Sequence, residues 1–308
     1  MKVRIGISHA AYFLPEQIDD VRSWAGRTGH PAATVARLEQ RGVRYFREAG
    51  NQTAFSLAAQ AIGTLVDACA LAPDTIDALV YVHTLQGSIA PPPFSLPGLL
   101  CERFGFECAD AFSFAQQHCA SSLGALRVIR AMFAARPAMK RVLLVGADVM
   151  PLDADRLMEA GGILSDGACA VLIERDAGAN HLLSLAFHAT GDGWRGALDG
   201  DEPHVAAQSF LVARQLIKQV TRNVGIPVSG IQRILPSHLD LPAWHRVIAS
   251  LGLPPTCLFA DNFARIGHTT VSDPFIDLLD CNDLVPGKPF LLYARGVGGF
   301  SAAALFMR

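Results

Sequence analysis

Two stretches decide the fold: Ile76-Asp77-Ala78-Leu79-Val80-Tyr81-Val82-His83 and Ile231-Gln232-Arg233-Ile234-Leu235-Pro236-Ser237-His238. Each is a short apolar run ending in a histidine, and each follows a helical pattern. The first comes after Thr53 to Cys69, where Phe55, Leu57, Ala58, Ala61, Ile62 and Leu65 fall at helical spacing. The second comes after Phe210 to Val224, with Leu211, Leu216 and Val220 on one stripe. Working outward, each half next shows a Phe-rich strand entering a helix, Ala-Phe-Ser-Phe-Ala-Gln-Gln-His-Cys at 111–119 and Leu-Phe-Ala-Asp-Asn-Phe-Ala-Arg-Ile-Gly-His at 258–268. Another apolar strand then follows in each, at 143–148 and 291–296. The matched order reads as an internal duplication of one βαβαβ-type unit. The polar, small-residue stretch Asp176 to Asn180 divides the halves, giving 1–180 and 181–308.

The runs Ile76–His83, Arg141–Gly146 and Phe290–Ala294 are short and mostly apolar, as in strands covered on both faces. Alternation of such runs with helices predicts an α/β fold. The chain has 308 residues, 51% of them hydrophobic, enough for a deep core and a subunit interface. Its formal net charge of −2 argues against nucleic acid as a partner. Seven cysteines without C-x-x-C spacing suggest neither a disulfide framework nor a structural zinc, so no metal and no cofactor are expected. The opening Met-Lys-Val-Arg-Ile-Gly-Ile leads into no apolar signal segment, and no run approaches the roughly 20 apolar residues that span a bilayer. A soluble cytoplasmic protein, with no membrane partner, is the expectation.

Cys119 stands apart from the other cysteines because it follows a strand and directly precedes the helical Ala120-Ser121-Ser122-Leu123-Gly124. A helix N-terminus favours the thiolate, the nucleophilic form. Cys69, Cys101, Cys108, Cys169, Cys257 and Cys281 read as structural thiols. In the duplicated halves His268 is the pseudo-two-fold mate of Cys119, so both are expected to face one cleft. His238, at the end of a strand, is the other candidate proton holder or donor to a thioester oxygen. His83, His118 and His245 read as ordinary hydrogen-bonders. The glycine loop Gly296-Val297-Gly298-Gly299-Phe300 can bring the Gly299 N–H beside that of Cys119 to form an oxyanion hole, or be only a tight turn. Arg214, Lys218 and Arg222 lie at i, i+4 and i+8 on one helix face, either a solvated face or a docking patch for an acidic carrier protein.

These residues resemble the β-ketoacyl-acyl carrier protein synthase III branch of the thiolase superfamily. The likeness runs from Tyr-Phe-Leu-Pro-Glu-Gln-Ile at 12–18 and Leu-Glu-Gln-Arg-Gly-Val at 38–43 through the cysteine segment. It continues through Leu-Leu-Val-Gly-Ala-Asp-Val at 143–149, Ser-Asp-Gly-Ala-Cys-Ala-Val-Leu at 165–172 and Gly-Asp-Gly-Trp-Arg-Gly at 191–196. It ends at 296–305. The resemblance implies a thiolase-like, five-layered αβαβα fold, a homodimer and an acyl-cysteine intermediate, with Cys119 matching the family's cysteine. Its two halves would be an N-terminal one carrying Cys119 and a C-terminal one carrying the histidines.

The departures from the family pattern bear on chemistry. His268 stands where the family has Asn. The family's Pro-His-x-x-Asn reads Pro236-Ser237-His238-Leu239-Asp240 here, so Ser237 or, after a one-residue slip, His238 takes the histidine position. A slip of one reverses side-chain direction on a strand. The Trp and Arg that hold the adenine of coenzyme A have no full counterpart, since 35–41 offers Arg37 and Arg41 without an aromatic residue. That tilts the donor toward an acyl carrier protein over acyl-coenzyme A. The leading expectation is an acyl-Cys119 condensed with a malonyl-type thioester in fatty-acid, polyketide or specialised-metabolite biosynthesis. One alternative is a non-condensing acyltransferase to an O, N or S acceptor, with a histidine base oriented by Asp240 or Asp273. Another is a catalytically silent partner subunit.

Overall fold

The computed structural model describes residues 3–107, 110–158, 161–190 and 202–308. Cys108 and the 191–196 motif lie outside them. In the first half the elements are β1 (Ile5–Phe13), β2 (Gln17–Asp20), α1 (Val21–Thr28), α2 (Ala32–Gln40), β3 (Tyr45–Glu48), α3 (Ala54–Cys69), β4 (Ala78–Val82), α4 (Leu96–Phe104), β5 (Asp110–Phe114), α5 (Ser121–Ala135), β6 (Arg141–Asp148), β7 (Leu157–Met158), β8 (Gly162–Ile163) and β9 (Gly167–Arg175). The second half follows with β10 (His181–His188), α6 (Glu202–Arg222), β11 (Arg233–Leu235), α7 (Leu241–Ser250), α8 (Phe263–Ile266), α9 (Asp273–Asp280), β12 (Pro289–Arg295) and β13 (Ser301–Met307).

Nine of these strands form one sheet ordered β11-β12-β13-β10-β1-β9-β6-β4-β5, and β2-β3 and β7-β8 form two small two-stranded sheets. Its two arms repeat the same directions. β1 is antiparallel to β9 and β9 to β6, while β6, β4 and β5 run parallel. β10 is antiparallel to β13 and β13 to β12, while β12 and β11 are parallel and Ile234 makes a further parallel bridge to Leu258. Between the arms the register is the single pair Gly6 and His181. This is the duplication read from the order of the segments.

Side-chain alternation turns the arms into five layers. Leu79, Tyr81, Leu143 and Val145 pack with α3 and α4 on one outer side. Leu291, Tyr293, Ala303 and Leu305 pack with α6 and α7 on the other. The opposite faces of both arms, including Val80, Val82, Leu144, Leu292, Ala294 and Ala304, meet around α5 and α9. These two helices are therefore covered on both sides by sheet.

Local signals set the helix ends. Thr53 and Ser56 form a reciprocal cap on α3, each side chain accepting from the other's backbone N–H at 3.2 and 2.9 Å. Asp240 caps α7 through Ala243 N at 3.0 Å, with Pro242 in its first turn. A small lobe made by α1, α2, β2 and β3 buries Trp24, Leu38 and Phe46. It is tied to the body where Asp166 accepts from Ala49 N at 2.7 Å and pairs with buried Arg156 at 2.9 Å.

Candidate active site

β5 delivers the chain to Cys119 through a strained turn. Gln116 and His118 both have left-handed φ, 69° and 50°, although neither is glycine. Such positions cost on the order of 1–3 kcal/mol each and persist where the surroundings fix them. Two glycines make the room. A Cβ on Gly296 would lie 2.2 Å from the Gln117 carbonyl oxygen, and one on Gly124 would lie 2.1 Å from Gln117 Oε1. After a single 3-10 turn at His118–Ala120, α5 begins at Ser121. Cys119 thus sits one turn ahead of the helix and is 1% exposed.

His268 arrives from the other half. Its backbone is clamped by the segment after β7, with His268 N donating to Ile163 O and Ser165 N donating to His268 O, both at 2.9 Å. Its ring lies between two groups. Nε2 is 3.2 Å from Cys119 Sγ, and Nδ1 meets Asp273 Oδ2 at the start of α9. Asp273 is itself fixed by Thr269 N and Thr269 Oγ1, each at 2.6 Å, and by His238 N at 2.8 Å. All three side chains of this relay are buried. Burial works against a charge on His268, but attraction to Asp273 and Cys119, with their hydrogen bonds, raises it to about 10. Burial likewise works to raise Asp273, and the imidazoles of His238 and His268 overcome it and bring it to about 2.

Thr84 completes the surroundings of the sulfur, its Oγ1 3.6 Å from Sγ. Asp148, at the end of β6, holds that loop through Thr84 N at 2.9 Å and Leu85 N at 2.8 Å. It also accepts from Thr270 Oγ1, two residues beyond His268, so one buried carboxylate knots both loops that flank the thiol.

His238 corrects the expectation that it faces Cys119. Its ring is fully buried behind Asp273, with Nδ1 2.7 Å from the Gly267 carbonyl and Nε2 2.8 Å from Asp277 Oδ1. The physical reason is that β11 ends at Leu235, so residues 236–240 follow loop geometry and strand alternation no longer applies. Ser237 is buried too, and its Oγ accepts from Arg295 N at 3.3 Å. Asp240 does not orient either imidazole, because its carboxylate is engaged as the cap of α7. Asp273 takes that part.

The glycine loop packs against the turn that precedes Cys119, through Gly296 against Gln117 and His118. Gly299 itself has φ of 79° and lies against Thr190, where a Cβ would come within 2.1 Å of Oγ1. Among the residues read as ordinary, His83 is buried with Nδ1 3.1 Å from Leu85 O, His118 tilts against Phe300, and His245 is exposed. Arg214, Lys218 and Arg222 lie together on α6, where with Leu211 and Gln215 they line a shallow surface cavity of about 290 Å³.

Asp277, Asn262, Thr84 and Asp148 were not singled out in the sequence. A signal existed for Asp277. Asp273, Asp277 and Asp280 recur at i, i+4 and i+7 on the same face as an apolar helix, Asp-Pro-Phe-Ile-Asp-Leu-Leu-Asp. Carboxylates on a buried stripe require partners.

Comparisons with known proteins agree with this architecture. A family described as 3-oxoacyl-[acyl-carrier-protein (ACP)] synthase III matches residues 115–191, the stretch from the Cys119 turn through β10. The β-ketoacyl-[acyl-carrier-protein] synthase III of Rubrobacter xylanophilus is 26% identical over 276 residues, 84% of each chain. The structure of 3-oxoacyl-[acyl-carrier-protein] synthase III from Aquifex aeolicus superposes with a TM-score of 0.85 at 17% identity, covering 99% of this chain and 100% of that one. The ChlB3 acyltransferase structure gives 0.82 at 21% identity, covering 98% and 97%.

Proposed function

We propose that this chain, whose likeness to the synthase III branch of the thiolase superfamily extends from its motifs to its fold, is an acyl-transfer enzyme that carries its acyl group on Cys119. The observation that supports this most is the relay Cys119–His268–Asp273. Nε2 of His268 lies within reach of the thiol proton while Asp273 holds Nδ1–H. In the loading step Sγ attacks the carbonyl of an acyl thioester. The proton that Cys119 gives up is held on Nε2 of His268, whose charge Asp273 favours, and it passes to the departing carrier thiolate, leaving acyl-Cys119. An acyl carrier protein or coenzyme A thioester is the donor class. The Arg214, Lys218 and Arg222 face is the carried-over docking patch for an acidic carrier.

Two fates of the acyl group follow. Condensation with a malonyl-type thioester is the one the family likeness carries, with carbon dioxide lost and the enolate attacking acyl-Cys119. A specific observation favours a second, transfer to an O, N or S acceptor. Condensation calls for two donors on the enolate oxygen, and both ring nitrogens of His238 are engaged elsewhere. His268 alone, backed by Asp273, is arranged to remove a proton from an acceptor. The fold is shared by synthases and an acyltransferase, so the site has to decide.

Intact mass after incubation with acyl-carrier and acyl-coenzyme A thioesters should show an adduct that Cys119→Ala lacks. Adding malonyl-carrier, or in parallel a panel of alcohols, amines and thiols, then distinguishes the fates by carbon dioxide release or by acylated acceptor. Absence of any adduct would overturn the enzymatic reading in favour of a silent partner subunit.

Two coarser readings accompany this. Among the described residues no helix is long and apolar enough to cross a membrane, and a cytoplasmic location remains the sequence-based proposal. Pairing of two copies is supported by β5, an edge strand with β4 as its neighbour and Phe112 and Phe114 half-buried, and light scattering in solution tests it.

A further inference from the structure

His238 and Asp277 take no part in the steps above, yet both are fully buried. Every polar group near the His238 ring is an acceptor. Nδ1 faces the Gly267 carbonyl at 2.7 Å and Asp273 Oδ1 at 3.3 Å, and a carbonyl can only accept, so Nδ1 carries hydrogen. Nε2 faces Asp277 Oδ1 at 2.8 Å. That oxygen already receives an N–H from Asn262 Nδ2 at 2.8 Å. The Asn262 amide is fixed in this sense because its oxygen takes two N–H groups of Arg265, at 2.9 and 2.7 Å. The ring's face is covered by Phe263, with centroids 5.3 Å apart. Farther out, Asp280 collects Asn262, Arg265 and Tyr12, which closes the cluster toward β1. Asp273, shared with His268, is the remaining charge on this side.

We propose that His238 is a positioning residue held as an imidazolium between Asp277 and Asp273, whose positive charge keeps Asp273 ionised and offsets the negative field that Asp273 exerts on His268. Burial opposes this charge, but Asp273 and Asp277 outweigh it and lift His238 to about 9, while burial leaves Asp277 at about 6. At neutral pH the pair is therefore ionic. The consequence lies in His268. Without the neighbouring cation, Asp273 acts on it unopposed, the ring holds its proton more tightly, and the neutral base needed for acyl transfer appears only at higher pH. His238 acts through Asp273 and does not touch the sulfur.

This inference rests on the reading of Cys119 as acyl carrier and His268 as its base, so its test has two arms. The first needs no activity. Nitrogen-15 NMR of wild-type protein, with the ring assigned through its contact with Phe263, should show both His238 nitrogens protonated at pH 7 and still so at pH 8. A single neutral tautomer at pH 7 would overturn the proposal.

The second arm follows discharge of an acetyl group, preloaded on Cys119 from an acetyl thioester, against pH. In His238→Gln and in the isosteric Asp277→Asn the rising limb should move up by about one pH unit, a roughly tenfold loss of rate on the limb with the plateau largely kept. A limb that stays in place while only the plateau falls means a merely structural role and defeats the proposal. If wild-type protein never loads Cys119, the functional reading fails, and the NMR arm alone decides the charge of His238.

Discussion

Asp273 carries more of the site than its position on a helix suggests. It receives His268 Nδ1 on Oδ2, and Thr269 and His238 backbone N–H groups besides. Asp273→Asn keeps the size but offers an amide where His268 needs an acceptor, so the imidazole loses its fixed tautomer. Acyl transfer should fall by about 10³–10⁴-fold, by analogy with the same change in hydrolase triads. Single-turnover acylation with mass detection measures it, and a loss under tenfold would remove Asp273 from the relay. At this scale the sequence is legible where chemistry is tied to a boundary between elements. Cys119 was readable because it stands where β5 gives way to α5, and His268 because the matched order of the two halves pairs it with Cys119, although α8 and not a strand precedes it. His238 was misread because a histidine at the apparent end of a strand looks alike whether it faces a cleft or a buried carboxylate. Only the placement of Asp277, one helical turn beyond Asp273, separates the two.

The turn between β5 and α5 is an element built by its neighbours. Its two left-handed residues are held because the β12–β13 loop presses a glycine onto the Gln117 carbonyl. Gly296→Ala puts a methyl into backbone only 2.2 Å away, and that turn cannot yield without moving Cys119. A stability loss of about 1–3 kcal/mol in urea unfolding is expected, with acylation of Cys119 lost more steeply than stability. The Arg156–Asp166 pair makes a second prediction at this scale. Both side chains are buried and Asp166 also binds Ala49 N and Met150 N, so Arg156→Ala leaves a buried carboxylate without its cation. That should cost about 3–5 kcal/mol, read by the same unfolding assay. Elements were well forecast from pattern. The run 141–146 became β6, 290–294 became β12, and the stripe from Thr53 became α3 with Thr53 as its cap. What pattern missed were β7, β8 and the four-residue gap between His268 and α9, since two-residue strands and turns leave no periodicity to read.

For the molecule as a whole, the buried cluster of two imidazoles and two carboxylates links stability to pH. His238 and His268 stand at about 9 and about 10 in the fold against an ordinary 6.5. Their contribution is complete below 6.5 and is lost as pH rises through 9 to 10. Asp273, at about 2 against 3.8, contributes fully above 3.8 and loses this as pH falls toward 2. Asp277, raised to about 6, acts in the opposite sense and costs stability once ionised. Urea midpoints should therefore drop progressively as pH rises from about 6.5 through 9 to 10 and level off above, and the drop should shrink in Asp273→Asn. An undiminished drop in that variant would place its origin elsewhere. The duplication was legible at this scale because the matched segments keep one order. The joining of both arms into a single sheet at Gly6 and His181 was not, since a one-residue bridge has no signature.

Placing α5 and α9 in the central layer leaves Cys119 only 1% exposed. An acyl group parked there is shielded from bulk solvent by two sheets. Its lifetime should be governed by breathing of the protein and by arrival of the right acceptor, and much less by spontaneous hydrolysis. The loaded form should accordingly resist neutral hydroxylamine while folded yet lose its cargo to that reagent once unfolded in urea, which would make the protein a waiting store as much as a catalyst.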